Sequence, residues 1–253
     1  MYLPSGPFFA ALRYNSKKFQ GGHLMKKIGL VGGTGPESTL MYYRKLNEEI
    51  DRLTGGKAMP EIVIESVDFR RMWGYVERSE TGKLSDYLLE KLNNLAKCDA
   101  EVIALTAVTC HVVYDELAER FGKPVISIPK AVCDEAVSKG IGRIGLLGTM
   151  FTMERDYMKK DLINAGVQVF VPNEEDRKLV AKRILEELEL GIVKESTLRE
   201  LQAVINRMKD ENGIEGVILG CTELPVILNS GNCPVECFDA VDIHIRKLIE
   251  LAI

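Results

Sequence analysis

From Met25 onward the chain alternates short β-branched runs with longer amphipathic stretches. The apolar runs predict strands near 26–31, 61–66, 101–106, 124–128, 143–147, 167–171, 215–219 and 234–238. Between them apolar residues recur every three or four positions, as at Leu40, Tyr43, Leu46 and Ile50 and again at Leu84, Leu88, Leu92 and Leu95. That spacing gives a helix one core-facing side. Strands alternating with helices imply parallel sheets joined by right-handed crossovers, so the expected fold class is α/β.

The pattern also repeats. IGLVGGTG at 28–35 is echoed by IGLLGTMFT at 144–152, and VIALTAVT at 102–109 by GVILGCTE at 216–223, at offsets of 116 and 114 residues. An internal duplication of about 115 residues predicts two pseudo-symmetric lobes, each a parallel-rich sheet flanked by helices. Ligands of open parallel sheets bind beyond the carboxyl ends of the strands, and all four echoed segments are strand ends, so the site is expected between the lobes. Residues 25–130 with the C-terminal segment are assigned to lobe 1 and 131–230 to lobe 2. A chain of 253 residues, at roughly 150 residues per domain, accommodates two small lobes or one large domain. Residues 1–24 lack a helical period and read as an N-terminal extension or leader. Their apolar stretch, Pro7–Leu12, is too short and too soon followed by Arg13, Lys17 and Lys18 for a signal peptide.

Composition narrows the function classes. With 33 basic and 37 acidic residues the formal net charge is −4, which supplies no drive toward nucleic acid or an anionic membrane surface. No apolar run approaches the roughly 18 residues of a membrane span. Six cysteines are too sparse for a disulfide scaffold, so reduced thiols in a cytoplasmic protein are expected.

The strand ends carry the candidate chemistry. Gly32-Gly33-Thr34-Gly35-Pro36 follows the first strand and opens a helix, where Gly33, Thr34 and Gly35 can cradle a small anion. Ser38 occupies the place of the third glycine of a dinucleotide fingerprint and no P-loop lysine follows, which argues against nicotinamide, flavin and ATP. A tight turn without a ligand is the alternative. Thr149 and Thr152, after the matching strand, offer hydroxyls suited to a carboxylate or to helix capping. Gly220-Cys221-Thr222-Glu223 places a thiol directly after an apolar strand, where a following helix N-terminus would lower its pKa. Cys98 and Cys133 lie in apolar context. Cys233 and Cys237 form C-x3-C around Pro234 without a second pair, and with His244 on a predicted helix they do not read as a zinc site. Cys110 and His111 are adjacent, a poor geometry for a dyad on a helix, and His111 is expected to cap or orient the loop.

Taken together, GGTGPEST at 32–39, SVDF at 66–69, GT-x-x-TME at 148–154 and GCTE at 220–223 resemble the cofactor-independent aspartate/glutamate racemases. That superfamily also holds maleate isomerase, hydantoin racemase and arylmalonate decarboxylase. The likeness spans Met25 to the C-terminus and is greatest to the aspartate and broad-specificity branch, since glutamate racemases proper carry His where Glu223 stands. The resemblance implies two α/β lobes around a central site, a small carboxylate or amino-acid substrate, no cofactor, no metal and a homodimer. It also implies two thiols flanking the substrate, one removing the α-proton and one returning a proton from the opposite face. Thr34, Thr109, Thr149, Thr152 and Thr222, with the backbone of Gly33 and Gly35, would surround the substrate carboxylate. Lys178 would hold a distal carboxylate, with Arg70 and Arg71 as other candidates.

The first-lobe motif departs from the family pattern Cys-Asn-Thr-x-His. It reads Ala107-Val108-Thr109-Cys110-His111, so Ala107 stands in the first-thiol position and Cys221 is the remaining catalytic thiol. Three readings follow: a racemase or epimerase of an acidic or related amino acid in which water or Thr109 assists Cys221; a single-thiol decarboxylase; and a small-carboxylate binding protein that keeps the pocket without the chemistry.

Overall fold

The segment IGLVG forms the strand Ile28–Gly32 (β1), buried along its whole length, as a central strand covered on both faces must be. In the computed structural model, which describes residues 25–253, it is followed by α1 (Pro36–Thr54), β2 (Ile62–Ser66), α2 (Phe69–Glu77), α3 (Thr81–Lys97), β3 (Val102–Leu105), α4 (Tyr114–Phe121), β4 (Val125–Ile126) and α5 (Ile128–Ser138). The second half contributes β5 (Arg143–Leu147), α6 (Met150–Glu154), α7 (Lys160–Asn164), β6 (Gln168–Phe170), α8 (Glu174–Glu186), α9 (Glu195–Asn212), β7 (Gly216–Leu219), β8 (Glu236–Asp239) and α10 (Ala240–Ala252). The extension expected at 1–24 lies outside the described residues.

The strands form two four-stranded sheets, ordered β2-β1-β3-β4 and β6-β5-β7-β8, and every pairing is parallel. The register repeats with the sequence: Ile28 pairs with Val102 in one sheet, and their echoes Ile144 and Gly216 pair in the other. The fold is thus the two-sheet α/β architecture that the alternation and the duplication predict. Among the described residues no helix is long and apolar enough to cross a membrane.

The halves are joined by an exchange of helices. After β4 of the first sheet, α5 packs Ile128, Val132 and Ala136 against Ile144, Leu146 and Ile218 of the second sheet. After β8 of the second sheet, α10 returns Val241, Ile245 and Leu248 to Ile28, Leu30 and Ala104 of the first. Each sheet therefore buries one face beneath a helix supplied by the other half, and α5 and α10 pack on each other. At about 25 cal/mol per Å² of apolar surface removed from water, this reciprocal burial opposes separation of the halves.

One helix face differs from its expected place. In α1 the buried positions are Ser38, Tyr42, Leu46, Ile50 and Thr54, a strict i+4 stripe, while Leu40 and Tyr43 are 61% and 50% exposed. Tyr42 turns inward because its hydroxyl has a buried partner, His244 Nδ1 at 2.6 Å. Leu40 and Tyr43 instead line a cleft between the halves. In α3 the expected stripe of Leu84, Leu88, Leu92 and Leu95 is buried.

Candidate active site

The loop after β1 turns sharply at Gly33, whose φ of 77° is the left-handed region open to glycine. A Cβ there would also stand 2.6 Å from the Val67 carbonyl. The Gly33 N–H donates to Thr39 Oγ1 at 2.9 Å. This bond closes the loop on itself. Gly35, φ 98°, stands at the N-cap of α1 ahead of Pro36. Half-buried Thr34 brings its Oγ1 to 3.5 Å from Thr106 Oγ1, and Thr106 donates to the Val31 carbonyl.

Two residues beyond the end of β3, Ala107 and then Val108 are buried and apolar. His111 fixes this loop. Its Nε2 accepts from the Ile128 N–H at 3.1 Å, so Nδ1 carries the proton and donates to the Ala107 carbonyl at 3.0 Å. Burial holds its pKa down to about 4, and the neutral ring is a structural strut between the Ala107 loop and the start of α5, as the sequence suggests. His244 is its counterpart. It accepts from Tyr42 and donates from Nε2 to the Ile126 carbonyl, with burial lowering its pKa to about 3. Cys110 is fully buried and its thiol is pushed up to about 12.

In the second half Thr149 is the N-cap of α6, its Oγ1 accepting from the Thr152 N–H. Thr152 is 1% exposed, and its hydroxyl bonds Thr149 Oγ1 at 3.1 Å and the Tyr157 hydroxyl at 2.9 Å. Of the two threonines expected to touch substrate, Thr152 is enclosed, with Thr149 and Tyr157 as its partners. Burial raises the Tyr157 pKa, with the Cys110 and Cys221 thiols near enough to add to the effect. Half-buried Thr109 of the first half lies near enough to the Tyr157 hydroxyl to act against that pKa rise. Tyr157 thus closes a hydroxyl chain with Thr152 and Thr149 in the second half. Sequence reasoning missed it, since nothing in its spacing separates it from a core aromatic residue.

Cys221 stands two residues beyond the end of β7, the place equivalent to Ala107. Its Sγ lies 2.7 Å from Glu223 Oε2, to which the thiol donates, and Thr222 donates to Glu223 Oε1 at 2.5 Å. The expectation of a lowered pKa is overturned. Burial first, and then the Glu223 charge, push the thiol well above its ordinary value. No long helix starts here to oppose them, because the chain enters a turn and then a three-residue 3-10 segment, Leu224–Val226. Glu223 was visible in the sequence only as a branch marker; its contact with the thiol depends on the turn.

Thr222 and Glu223 face a cleft of ≈ 830 Å³ whose opposite wall is α1, through Glu37, Ser38, Met41 and Lys45. Glu189, whose pKa is raised by partial burial and by Glu223, lies on the same wall as Glu223. Lys178 is not brought to this cleft; it is exposed on α8 and paired with Glu174 at 2.5 Å. Its neighbour Arg177 buries Nε without a hydrogen-bond partner. Arg71 lies over the Tyr87 ring at 4.5 Å and donates to Tyr75, while Arg70 is exposed. Among the described residues no group of three or more His, Cys, Asp or Glu gathers as metal ligands.

The structure thus places a buried thiol, hydrogen-bonded to a carboxylate, two residues beyond the end of β7. The chain belongs to the Asp/Glu/Hydantoin racemase family, whose model matches residues 31–248. It is similar to the solved structure of an aspartate racemase homologue from Pyrococcus horikoshii OT3, 41% identical with a TM-score of 0.80 over 90% of this chain and 99% of that one. An aspartate racemase from Picrophilus torridus, 19% identical with a TM-score of 0.68 over 90% of this chain and 94% of that one, shares the fold. The glutamate racemase of Histophilus somni (strain 2336) is 28% identical over 146 residues, 58% of this chain and 53% of that enzyme. The match thus spans about half the length of that relative.

Proposed function

We propose that the protein is a racemase or epimerase of an acidic or related amino acid, with Cys221 exchanging the α-proton and Glu223 relaying the proton of the thiol. The observation that carries this reading is the 2.7 Å contact between Cys221 Sγ and Glu223. A thiol with a raised pKa is protonated at neutral pH, so a base must take its proton before it can attack a Cα–H bond. Glu223 is in contact with the thiol and borders the cleft, so it can accept that proton and later return it. The thiolate removes the α-proton and becomes a thiol, leaving a planar carbanion delocalised into the substrate carboxylate. Thr109 and Thr34, with the Gly35 backbone, are the remaining donors for that carboxylate, Thr34 lying against Thr106. Inversion then needs a proton from the other face, where Ala107 has none to give; water or the Thr109 hydroxyl supplies it.

The apolar Ala107-Val108 face also favours a second reading, in which carbon dioxide leaves a substituted malonate and Cys221 protonates the resulting enolate from one side. Incubation of each enantiomer of aspartate, glutamate and related amino acids in deuterium oxide, followed by proton NMR and chiral chromatography, tests both. Deuterium incorporation with inversion, abolished in Cys221→Ser, is the expected result. Carbon dioxide release from malonates without α-exchange of any amino acid establishes the second reading, and neither activity in folded protein defeats both.

A further inference from the structure

The side chain of a substrate reacting at Cys221 must lie in the cleft that Glu223 borders, so the lining of that cleft decides which side chain fits. Lys178, Arg70 and Arg71, the cations expected to hold a distal carboxylate, are absent from that lining. Carboxylates stand there instead. Glu223 and Glu189 share one wall, and Glu37, in the first turn of α1, belongs to the other. No cation offsets the charge at Glu189, where burial and Glu223 both raise the pKa. Of the two cations in the lining, Lys45 is paired with Asp242 at 2.9 Å. The other, Arg44, is exposed and stands about 10 Å along α1 from Glu37. Much of the remaining lining is apolar. Leu40, Tyr43 and Val226 are 61%, 50% and 59% exposed and open into this ≈ 830 Å³ space, a pattern that marks a ligand-binding groove.

We propose that the cleft selects an amino acid with a long, linear basic side chain, of the lysine and ornithine class, and that Glu189 and Glu37 determine this specificity. The proposal rests on the proton-transfer reading above and changes only the side chain that the reacting α-carbon carries. A distal carboxylate in this cleft would meet like charge and lose water without gaining a donor. A distal ammonium gains the carboxylates, while its methylene stem covers Leu40 and Val226 as a lysine stem covers apolar surface elsewhere. The α-carboxylate and the α-proton keep the partners already assigned to them.

The full chain is incubated in deuterium oxide with each enantiomer of lysine, ornithine, norleucine, aspartate and glutamate, and α-deuteration is followed by proton NMR. Norleucine has the stem of lysine without the ammonium. Lysine or ornithine should exchange with the highest kcat/KM, norleucine about fivefold lower, and aspartate and glutamate lowest. In Glu189→Gln the ratio of lysine to norleucine exchange should fall by about fivefold, and a ratio is unaffected by partial loss of folded protein. Glu189→Lys should move the preference toward glutamate. Aspartate or glutamate exchanging faster than lysine in the parent, with the exchange lost in Cys221→Ser, would overturn the proposal and leave the proton-transfer reading standing. A preference for lysine that survives both Glu189→Gln and Glu37→Gln would overturn it as well. No exchange of any amino acid in folded protein would remove the proton-transfer reading and the proposal together.

Discussion

Acidification should weaken this protein through two buried imidazoles. His111 and His244 are neutral struts with pKa values held near 4 and 3 by burial, against about 6.5 in an unfolded chain. Below pH 6.5 the unfolded chain binds protons that the native one refuses, so stability declines with falling pH until the native values are reached. At pH 5 each imidazole lies about 1.5 units below its unfolded pKa, a loss of about 2 kcal/mol each and about 4 kcal/mol for the pair relative to neutral pH. The slope between pH 5 and 6 is about 2 kcal/mol per pH unit for the pair. Urea unfolding followed by circular dichroism at pH 7.5, 6 and 5 measures it. In His244→Gln, which keeps a donor for the Ile126 carbonyl, the slope should fall by about half, whatever the variant loses at neutral pH. Asp239, whose pKa burial raises, acts in the opposite sense but is common to both proteins and cancels in the comparison. Stability of the parent that is flat from pH 7.5 to 5, or a slope untouched by the substitution, would refute the reasoning.

Glu223→Gln removes the charge that raises the Cys221 thiol, so alkylation of Cys221 at fixed pH should quicken by about tenfold or more, while turnover falls by about a hundredfold or more with loss of the proton acceptor; a rise in both would show that Glu223 is not the relay. In the ligand-free parent, iodoacetamide should label exposed Cys98 before buried Cys221, and peptide mapping reads the order directly. Tyr157→Phe leaves the enclosed Thr152 hydroxyl short of a partner, which should cost about 1–3 kcal/mol in denaturant unfolding and raise KM. Ala107→Cys with Val108→Asn places a thiol and a carboxamide on the first-half face and should raise the rate of inversion relative to α-exchange; an unchanged ratio in a folded, substrate-binding variant would mean that residue 107 does not face the substrate.

Much of the architecture was legible because strand and helix periods are local. Val102–Leu105 and Gly216–Leu219 declare themselves as buried strands from composition alone, and the echo of IGLVGGTG in IGLLGTMFT carries the repeat into the sheet register. The position of Cys221 was legible for the same reason, two residues past a strand. The departure at Ala107 is likewise a fact of sequence that no folding can alter.

Other properties exist only where distant segments meet. Nothing in α1 says that Tyr42 faces inward and Tyr43 outward; the choice is made by His244, 202 residues away. The exchange of α5 and α10 is invisible to periodicity, because an amphipathic face shows that a helix must be covered but not by which sheet. The Cys221 pKa turned in the direction opposite to the sequence expectation, since it depends on desolvation and on where the turn after β7 leaves Glu223. Lys178 matched a family position by alignment, yet its ammonium sits beside Glu174 at the surface. Hydrophobic pattern is written along the chain at short range, whereas electrostatics and side-chain direction are sums over everything packed around a group, and only the folded chain supplies the terms of that sum.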